Sequence, residues 1–153
     1  LCEIQKRVSE FSPKDIFGVI EKIGGKNGWY FADSIWSIRG LIDYWLGGIG
    51  MRRSRRDPNK LRVGDTLDFW RVLEITPNEH LKLFAEMRLP GRAWLDFRIT
   101  LENGKTVLYQ SAIFDPKGLL GLIYWYALLP LHKIIFSGLL NSIIKRAHKT
   151  KNN

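Results

Sequence analysis

Cysteine is almost absent from this 153-residue sequence, and histidine is scarce. The single cysteine, Cys2, excludes a disulfide within the chain and suits a reducing compartment, so we expect a cytoplasmic protein. The three histidines lie at positions 80, 132 and 148, and no cysteine or histidine spacing matches a zinc site, so no metal is predicted. No basic segment followed by a short apolar run indicates a secretory signal. Because residue 1 is leucine, we expect the chain to belong to a longer protein.

The sequence also lacks the short motifs that mark common catalytic and nucleotide-binding sites. It contains no G-x-S-x-G nucleophile motif. The stretch "GGIG" at 47–50 is not a dinucleotide-binding G-x-G-x-x-G, because Arg53 occupies the third glycine position and no strand precedes it. We therefore predict no cofactor bound by this chain itself, and the sequence leaves open whether the chain is an enzyme.

Positive charge is abundant, with a formal net charge of +9, but it is unevenly placed. Six basic residues fall within 52–62, and four more close the chain at 145–151. The first cluster is interrupted by Asp57-Pro58 and has no aromatic residue for stacking on bases, so we expect no nucleic-acid partner. A solvated loop is the simplest interpretation of this cluster, and peripheral contact with an anionic membrane is the alternative.

The size and the apolar content predict one folded domain with a real core. With 45% apolar residues, the chain is long enough to bury about 70% of its unfolded surface. We place the domain at 1–149 and a polar tail at 150–153. The stretch from Gly118 to Leu131 has fourteen uncharged residues, fewer than the ~20 that span a bilayer. It is predicted to form a helix at 119–129, a bend at Pro130 and a long helix from about 131, either as plain core or as one wall of a cavity.

Three helices carry recognisable signals. Ser12 and Pro13 mark the start of the first helix, which Gly24-Gly25 should end. The second is predicted at 34–46, capped by Asp33. Its expected buried face is Ile35, Ile38, Ile42 and Trp45; that of the C-terminal helix is Phe136, Leu139, Leu140, Ile143, Ile144 and Ala147.

The middle of the chain alternates apolar and polar residues with a period of two, which is typical of strands with one covered face. Strands are predicted at 67–75, 81–89, 93–101 and 108–114, after a first strand at 3–8. Tight turns at 76–78, 90–92 and Asn103-Gly104 set their register. This register places four residues in one row on the inner face: Arg71, Ala85, Phe97 and Gln110.

The same register places Glu86 opposite Asp96 on the outer face. Paired carboxylates are typical of general acid–base sites, but Arg88 and Arg98 lie diagonally beside them, which indicates ordinary cross-strand ion pairs. The elements together predict an α+β fold, in which a curved antiparallel sheet grips a long C-terminal helix.

Two long strings resemble a known domain family: "GWYFAD…WSIRGLIDYWLGGIGMRRSRRDPNKLRVGDTLDFWRV" and "LPGRAWLDFRI…QSAIFDPKGLLGLIYWYALLPLH". They are similar to an uncharacterised family found at the C-terminus of short-chain-dehydrogenase-like, NAD(P)-binding proteins. That family is placed in the START-like, polyketide-cyclase-type helix-grip superfamily. The resemblance implies a helix-grip fold, a hydrophobic-ligand cavity and an NAD(P)-binding domain elsewhere in the same chain, but it implies no catalytic residues.

These observations predict a domain that binds a hydrophobic, neutral or weakly acidic small molecule between sheet and C-terminal helix. Arg71 and Gln110 would orient the ligand; a bulge that turns Arg71 outward and brings Trp70 inside is the alternative. Two other functions stay open, a membrane-surface or protein-interaction module using the basic loop 52–62, and a cyclase-like enzyme. The predicted lining is Arg71, Ala85, Phe97, Gln110, Tyr126, His132 and Phe136.

Overall fold

A computed structural model describes residues 1–48, 50 and 55–152. Six strands form one antiparallel sheet in the order β1-β6-β5-β4-β3-β2, and three helices accompany it. The predicted architecture, an α+β fold with a curved antiparallel sheet and a long C-terminal helix, is confirmed. The elements are β1 (Cys2–Ser9), α1 (Pro13–Ile20), α2 (Asp33–Trp45), β2 (Thr66–Leu67), β3 (Trp70–Thr76), β4 (His80–Ala85), β5 (Gly91–Glu102), β6 (Lys105–Pro116) and α3 (Gly118–Lys151).

Helix α1 begins where the sequence predicts. The Ser12 hydroxyl accepts a hydrogen bond from the Asp15 amide (3.2 Å), and Asp15 reaches back to the Ser12 amide, which satisfies two free amides at the helix start. The helix ends at Ile20, earlier than the predicted Gly24, and residues 21–22 form a turn. Ile16, Phe17 and Ile20 anchor the helix in the core.

Helix α2 has nearly the predicted bounds but buries a different face. The face predicted to be buried is exposed, with 57% of Ile38 and 79% of Trp45 open to solvent. Trp36, Gly40 and Asp43, spaced by four and three residues, face the protein instead. Asp43 explains the choice, since its carboxylate accepts backbone hydrogen bonds from Gly50 (2.9 Å) and Arg88 (2.6 Å). Counting only apolar residues therefore selected the wrong face.

The β5–β6 hairpin follows the predicted register. Glu102 pairs with Lys105 around Asn103-Gly104, and Ile99 lies opposite Leu108. Asn103 and Gly104 both have positive φ, at 51° and 75°, as the tight turn requires. Leu108, Gln110, Ala112 and Phe114 are buried on the inner face as predicted.

The β4–β5 connection is longer than predicted. It spans residues 86–90, and Leu83 pairs with Leu95 rather than with Ile99. Because this is a shift of four residues, the inner and outer faces stay as predicted. The predicted pairing of Glu86 with Asp96 is wrong; Lys82 lies opposite Asp96.

A one-residue irregularity in β3 changes the inner face of the sheet. Ile75 pairs with Leu81 as predicted, but Val72 pairs with Leu83, which leaves Leu73 unmatched between them. One extra residue reverses the side-chain alternation beyond it. Trp70 and Val72 therefore point into the core. The inward orientation predicted for Arg71 is wrong, and the alternative, a bulge that turns Arg71 outward and brings Trp70 inside, is correct.

Helix α3 is a single helix of 34 residues that passes through Pro130. The predicted division into two helices is wrong, although a proline inside a helix costs about 3 kcal/mol. Aromatic packing on both sides offsets that cost, because the His132 ring contacts Trp125 (5.9 Å) and Phe136 (5.4 Å). The helix continues to Lys151, so residues 150 and 151 of the predicted polar tail are helical.

Candidate functional site

Arg71, predicted to orient a ligand, lies on the outer face of the sheet. Its Nε donates to the Glu86 carboxylate, and its Nη1 donates to the Gly64 carbonyl (3.1 Å). The guanidinium is therefore paired and partly solvated outside the core. Arg71 is removed from the candidate site because of the irregularity at Leu73.

Ala85, Phe97 and Gln110 are all buried on the inner face, as predicted. They do not form one row, since Phe97 lies between Leu81 and Gln110 while Ala85 pairs with Trp70. None of the three lines the cavity described below. They are core residues, and the Gln110 Oε1 is buried with no partner within the described residues.

The three predicted residues of α3 divide between two surfaces. Tyr126 is 61% exposed and lines an open groove between α3 and β1 rather than the cavity described below, so its predicted position in that cavity wall is wrong. His132 and Phe136 do line a cavity between α3 and the sheet. They lie six and ten residues after Tyr126, which turns them by about 120° and about 80° around the helix from it.

That cavity has a volume of about 70 Å³ and lies where α2, α3 and the sheet meet. Its wall is almost entirely apolar and aromatic, and His132 is its one basic residue among those that the structure describes. The wall includes Trp36 from α2, Trp70 from β3, Met87 and Leu89 from the β4–β5 connection, Ala93 and Leu95 from β5, Ala112 and Phe114 from β6, and Tyr124, Trp125, His132 and Phe136 from α3.

A chain of ring contacts defines the α3 side of the cavity. The Trp125 ring stacks on Phe114 at 5.7 Å, and the His132 ring lies between Trp125 and Phe136. Phe136 in turn contacts Trp36 at 6.4 Å. This chain joins the sheet, α3 and α2 through aromatic packing, which favours defined ring geometries.

Three residues of the cavity wall carry a buried nitrogen that has no hydrogen-bond partner within the described chain. They are the Nε1 atoms of Trp36 and Trp70 and the Nδ1 atom of His132. Burial lowers the pKa of His132, and the positive charge of Arg39 lowers it further, so the imidazole is neutral at pH 7. The site therefore combines an apolar wall with a few uncharged polar groups, which is typical of small-molecule sites.

Trp36 and Trp125 were not among the predicted site residues, although the aromatic run at 124–126 had suggested a cavity wall. The sequence does contain a signal for the burial of Trp36, because Trp36, Gly40 and Asp43 are spaced so that they share one face of α2. A glycine on one helix face allows close packing there, and a carboxylate on that face can accept backbone hydrogen bonds.

A neighbouring tryptophan shows how the fold satisfies a buried indole. Trp29 is fully buried, contacts Trp36 (5.3 Å) and Trp70 (6.0 Å), and donates its Nε1–H to the Asp68 carboxylate (2.9 Å). Burial raises the pKa of Asp68, although the bonds from Trp29 and the Gly25 amide act in the opposite direction. Asp68 is thus a structural acceptor whose ionised form is disfavoured.

Asp68→Asn is expected to stabilise the protein at pH 7 and to give less gain at pH 3. Because the pKa of Asp68 is higher in the folded state, its favourable contribution is complete below the unfolded value and is lost as pH rises through the folded value. Asparagine keeps an acceptor for Trp29 and suits the positive φ of 54° at this position. Urea unfolding of both proteins at the two pH values measures the difference in the free energy of unfolding. An equal gain at both pH values would show that the gain comes from the backbone conformation at this position and not from the ionisation of Asp68.

The basic cluster at 52–62 is partly engaged inside the protein. Arg55 donates to the carbonyls of Ile23 (2.7 Å) and Asp57 (3.0 Å). Arg56 makes two bonds of 3.1 Å to the Asp65 carboxylate. Arg52 and Arg53 lie outside the described residues. Arg55 and Arg56 thus stabilise the loop, and their charge is less available to an external partner.

The outer surface of α3 changes character along the helix. From Leu119 to Leu131 its exposed residues are apolar, whereas the exposed residues after Ser137 are polar or basic. The helix is long and apolar enough to cross a membrane by length and composition; only 22% of its most apolar 18-residue window is buried. In this structure Gly121, Trp125 and Phe136 pack against the rest of the protein, so α3 belongs to the domain.

Acidic residues on the outer face of the sheet make structural ion pairs. Asp96 contacts the His80 Nε2 at 3.1 Å, and Glu86 holds Arg71. Within residues 1–48, 50 and 55–152 no group of histidine, cysteine, aspartate or glutamate residues has metal-binding geometry. This face offers no paired carboxylates for acid–base chemistry, because Glu86 and Asp96 are not opposite each other.

Solved structures with the same fold come from several bacteria. Protein NE0264 from Nitrosomonas europaea is 12% identical in sequence, and its structure aligns with a TM-score of 0.60. The alignment covers 100% of this chain and 97% of the NE0264 chain. Protein TTHA0849 from Thermus thermophilus is 10% identical, with coverages of 98% and 99% and a TM-score of 0.56. Protein MLL2253 from Mesorhizobium loti is 15% identical, with 98% coverage of both chains and a TM-score of 0.55. These likenesses establish the helix-grip fold.

Sequence comparison gives the family. No curated protein matches the chain. A family model described as "Protein of unknown function (DUF2867)" matches residues 3–139, which is most of the chain and includes every wall residue of the cavity. This chain therefore belongs to the DUF2867 family.

Proposed function

We propose that this domain binds a hydrophobic small molecule in the cavity between the sheet, α2 and α3. The observation that carries the proposal is the cavity wall itself, which is apolar and aromatic and contains a few uncharged polar groups. The wall residues that the structure describes include no lysine or arginine, so the ligand is neutral rather than acidic. Arg71, the basis for expecting an acidic ligand, lies outside the cavity.

The cavity must enlarge to admit such a ligand. Ligand sites usually measure about 300–1,000 Å³, against about 70 Å³ here. Helix α2 is the element best suited to move, because it is attached through only three buried residues, Trp36, Gly40 and Asp43. We propose that α2 and the β4–β5 connection open together, since Asp43 bonds the Arg88 amide of that connection.

Ala112→Leu is expected to abolish retention of N-phenyl-1-naphthylamine, a neutral fluorescent probe. Ala112 is buried in the cavity wall, so the added carbon atoms occupy the space that the probe needs. The measurement is a fluorescence titration, with circular dichroism to verify folding. Ala127→Leu, an equal change at an exposed position of α3, is the control and should leave binding unchanged. Equal binding by all three proteins would place the probe elsewhere and reject the cavity.

We also propose that the domain works in the cytoplasm beside an NAD(P)-binding oxidoreductase domain of the same longer chain. The support is the resemblance of segments within 28–72 and 89–132 to domains found at the C-terminus of such proteins, together with the absence of a dinucleotide motif within this sequence. The isolated chain should leave NADPH fluorescence unchanged, whereas a natural protein that contains it should bind NADPH. A full-length protein without NADPH binding would reject this arrangement.

A second candidate function is attachment to an anionic membrane surface, and the exposed apolar residues of α2 and α3 favour it. They include Trp45 and Tyr126, aromatic residues that suit the bilayer interface. The charge of these segments is complementary to anionic lipid, because the sequence has no acidic residue after Asp115 and the one acid within 34–56, Asp43, is buried. The exposed apolar residues are Ile38, Leu41, Ile42, Trp45 and Leu46 on α2, and Leu119, Leu120, Ile123, Tyr126 and Ile134 on α3.

Leu120→Ser combined with Ile123→Ser is expected to reduce binding to vesicles that contain 20% phosphatidylglycerol by at least about tenfold. Both side chains are mostly exposed, and burying one leucine or isoleucine contributes about 1.5–3 kcal/mol. Vesicle sedimentation measures the loss. The control is Lys60→Glu with Arg62→Glu, exposed changes in the basic loop that should reduce binding less. Greater loss in the control would assign attachment to the loop, and a wild-type dimer without vesicle binding would assign the apolar face to a second copy.

A further inference from the structure

The three nitrogens without partners in the cavity wall specify what the ligand must contain. Trp36 and Trp70 are 8% and 5% exposed, and their Nε1 atoms find no acceptor in the part of the chain that the structure describes. A buried donor without an acceptor is costly, and buried polar groups in folded proteins are nearly always hydrogen-bonded. An indole can only donate, so the missing partner must be an acceptor atom.

Trp29 shows that these two donors are exceptional in their own surroundings. The three indoles belong to one aromatic cluster, yet only Trp29 has an acceptor within the described part of the fold, the buried Asp68 carboxylate. The indole N–H of a buried tryptophan usually finds such a partner. The fold therefore satisfies the indole that packs away from the cavity wall and leaves unpaired the two that line it.

We propose, building on the proposed binding function, that the ligand is a neutral apolar molecule with a carbonyl oxygen that accepts hydrogen bonds from the Nε1–H groups of Trp36 and Trp70. A carbonyl oxygen has two lone pairs, so one atom can satisfy both donors. A carboxylate fits less well, because its buried charge would need a cation and the described wall residues provide none. The apolar body of the ligand lies among Met87, Leu89 and Phe114.

His132 supplies the third polar contact. Its imidazole is held between Trp125 and Phe136, and its Nδ1 is the third nitrogen of the cavity wall that is buried without a partner among the described residues. A neutral imidazole donates from one ring nitrogen and accepts at the other, so Nδ1 suits a second polar group on the ligand. His132 thus orients the ligand, while the two indoles recognise the carbonyl oxygen.

The test uses three naphthalenes that differ in one group: 2-acetylnaphthalene, 2-ethylnaphthalene and 2-naphthoate. Each competes with N-phenyl-1-naphthylamine for the wild-type protein at pH 7. The ketone should displace the probe at a concentration about tenfold or more below that of the ethyl compound, which has a similar shape but no oxygen. The carboxylate should bind more weakly than the ketone.

Variants assign the effect to the two indoles. Trp36→Phe and Trp70→Phe should each weaken the ketone about fivefold to tenfold and change the ethyl compound less than about twofold. Trp29→Phe is the matched control, because it removes a buried indole whose N–H already has an acceptor, and the ratio of ketone to ethyl affinity should stay unchanged.

A measurement on the unmutated protein keeps the test decisive if a variant fails to fold. In 15N-labelled protein, the indole N–H signals of Trp36 and Trp70 should move downfield with the ketone and stay in place with the ethyl compound. Equal affinity for the two compounds, or no selective shift, would overturn carbonyl recognition while leaving the binding function intact. If neither compound displaces the probe and neither shifts any indole signal, the proposed binding function itself fails.

Discussion

Replacing Asp43 with alanine is expected to lower the free energy of unfolding by about 2–6 kcal/mol. The side chain is fully buried and accepts hydrogen bonds from the amides of Gly50 and Arg88. Removing the carboxylate leaves the buried Gly50 amide and the partly buried Arg88 amide without acceptors, at a cost of up to about 1–3 kcal/mol each. Urea unfolding followed by circular dichroism measures the loss.

Two further variants separate the hydrogen bonds of Asp43 from its size and charge. Asp43→Asn keeps one acceptor oxygen and should lose roughly half as much stability as the alanine variant. Asp115→Ala removes an exposed carboxylate that pairs with Arg92, and should cost less than about 1 kcal/mol. A loss below about 1 kcal/mol for Asp43→Ala would show that α2 is held by other contacts.

Leu139→Ala is expected to cost about 2–5 kcal/mol, because Leu139 is fully buried between α3 and the core. Leucine-to-alanine changes at such positions lose apolar burial and leave a cavity. The protein should still fold at room temperature but melt at least about 5 °C lower in thermal circular dichroism.

Ile134→Ala on the same helix is the natural control. Ile134 is 63% exposed, so its truncation should change stability by less than about 0.5 kcal/mol. The contrast tests whether the C-terminal half of α3 carries the attachment to the sheet. Similar losses at both positions would indicate that the outward apolar face of α3 is itself covered, as in a dimer.

The fold was largely predictable because most of its signals are local. Asn103-Gly104 sets one hairpin register through its backbone conformation, and the capping box at Ser12 marks a helix start. The predicted β4–β5 register was wrong by four residues. The inner and outer faces were still predicted correctly, because a shift by an even number of residues keeps every side chain on its face. Errors that preserve parity leave the core prediction intact.

The candidate site was less predictable because it depends on two non-local choices. A charged residue on the predicted inner face raised the alternative of a bulge, but nothing in the sequence decided for it; the extra residue at Leu73 places Trp70 on the inner face in place of Arg71. Helix α2 offered an apolar face and a face with Asp43, and the backbone amides of distant residues decided between them. Both choices depend on tertiary hydrogen bonding and pairing, which hydrophobic periodicity does not describe.

The pairing of β1 with β6 has a consequence for how the chain reaches this structure. Cys2 lies opposite Ile113, and the Phe114 amide donates to the Leu1 carbonyl (2.8 Å), so the sheet joins segments far apart in sequence. Bringing the two strands together closes a long loop, and the loss of chain entropy raises the free energy before any contact between the strands forms. Domains dominated by such distant pairings fold in about milliseconds to seconds, slowly for their size. During synthesis β1 waits unpaired until β6 has been made, and for that interval its edges are open to association with other chains.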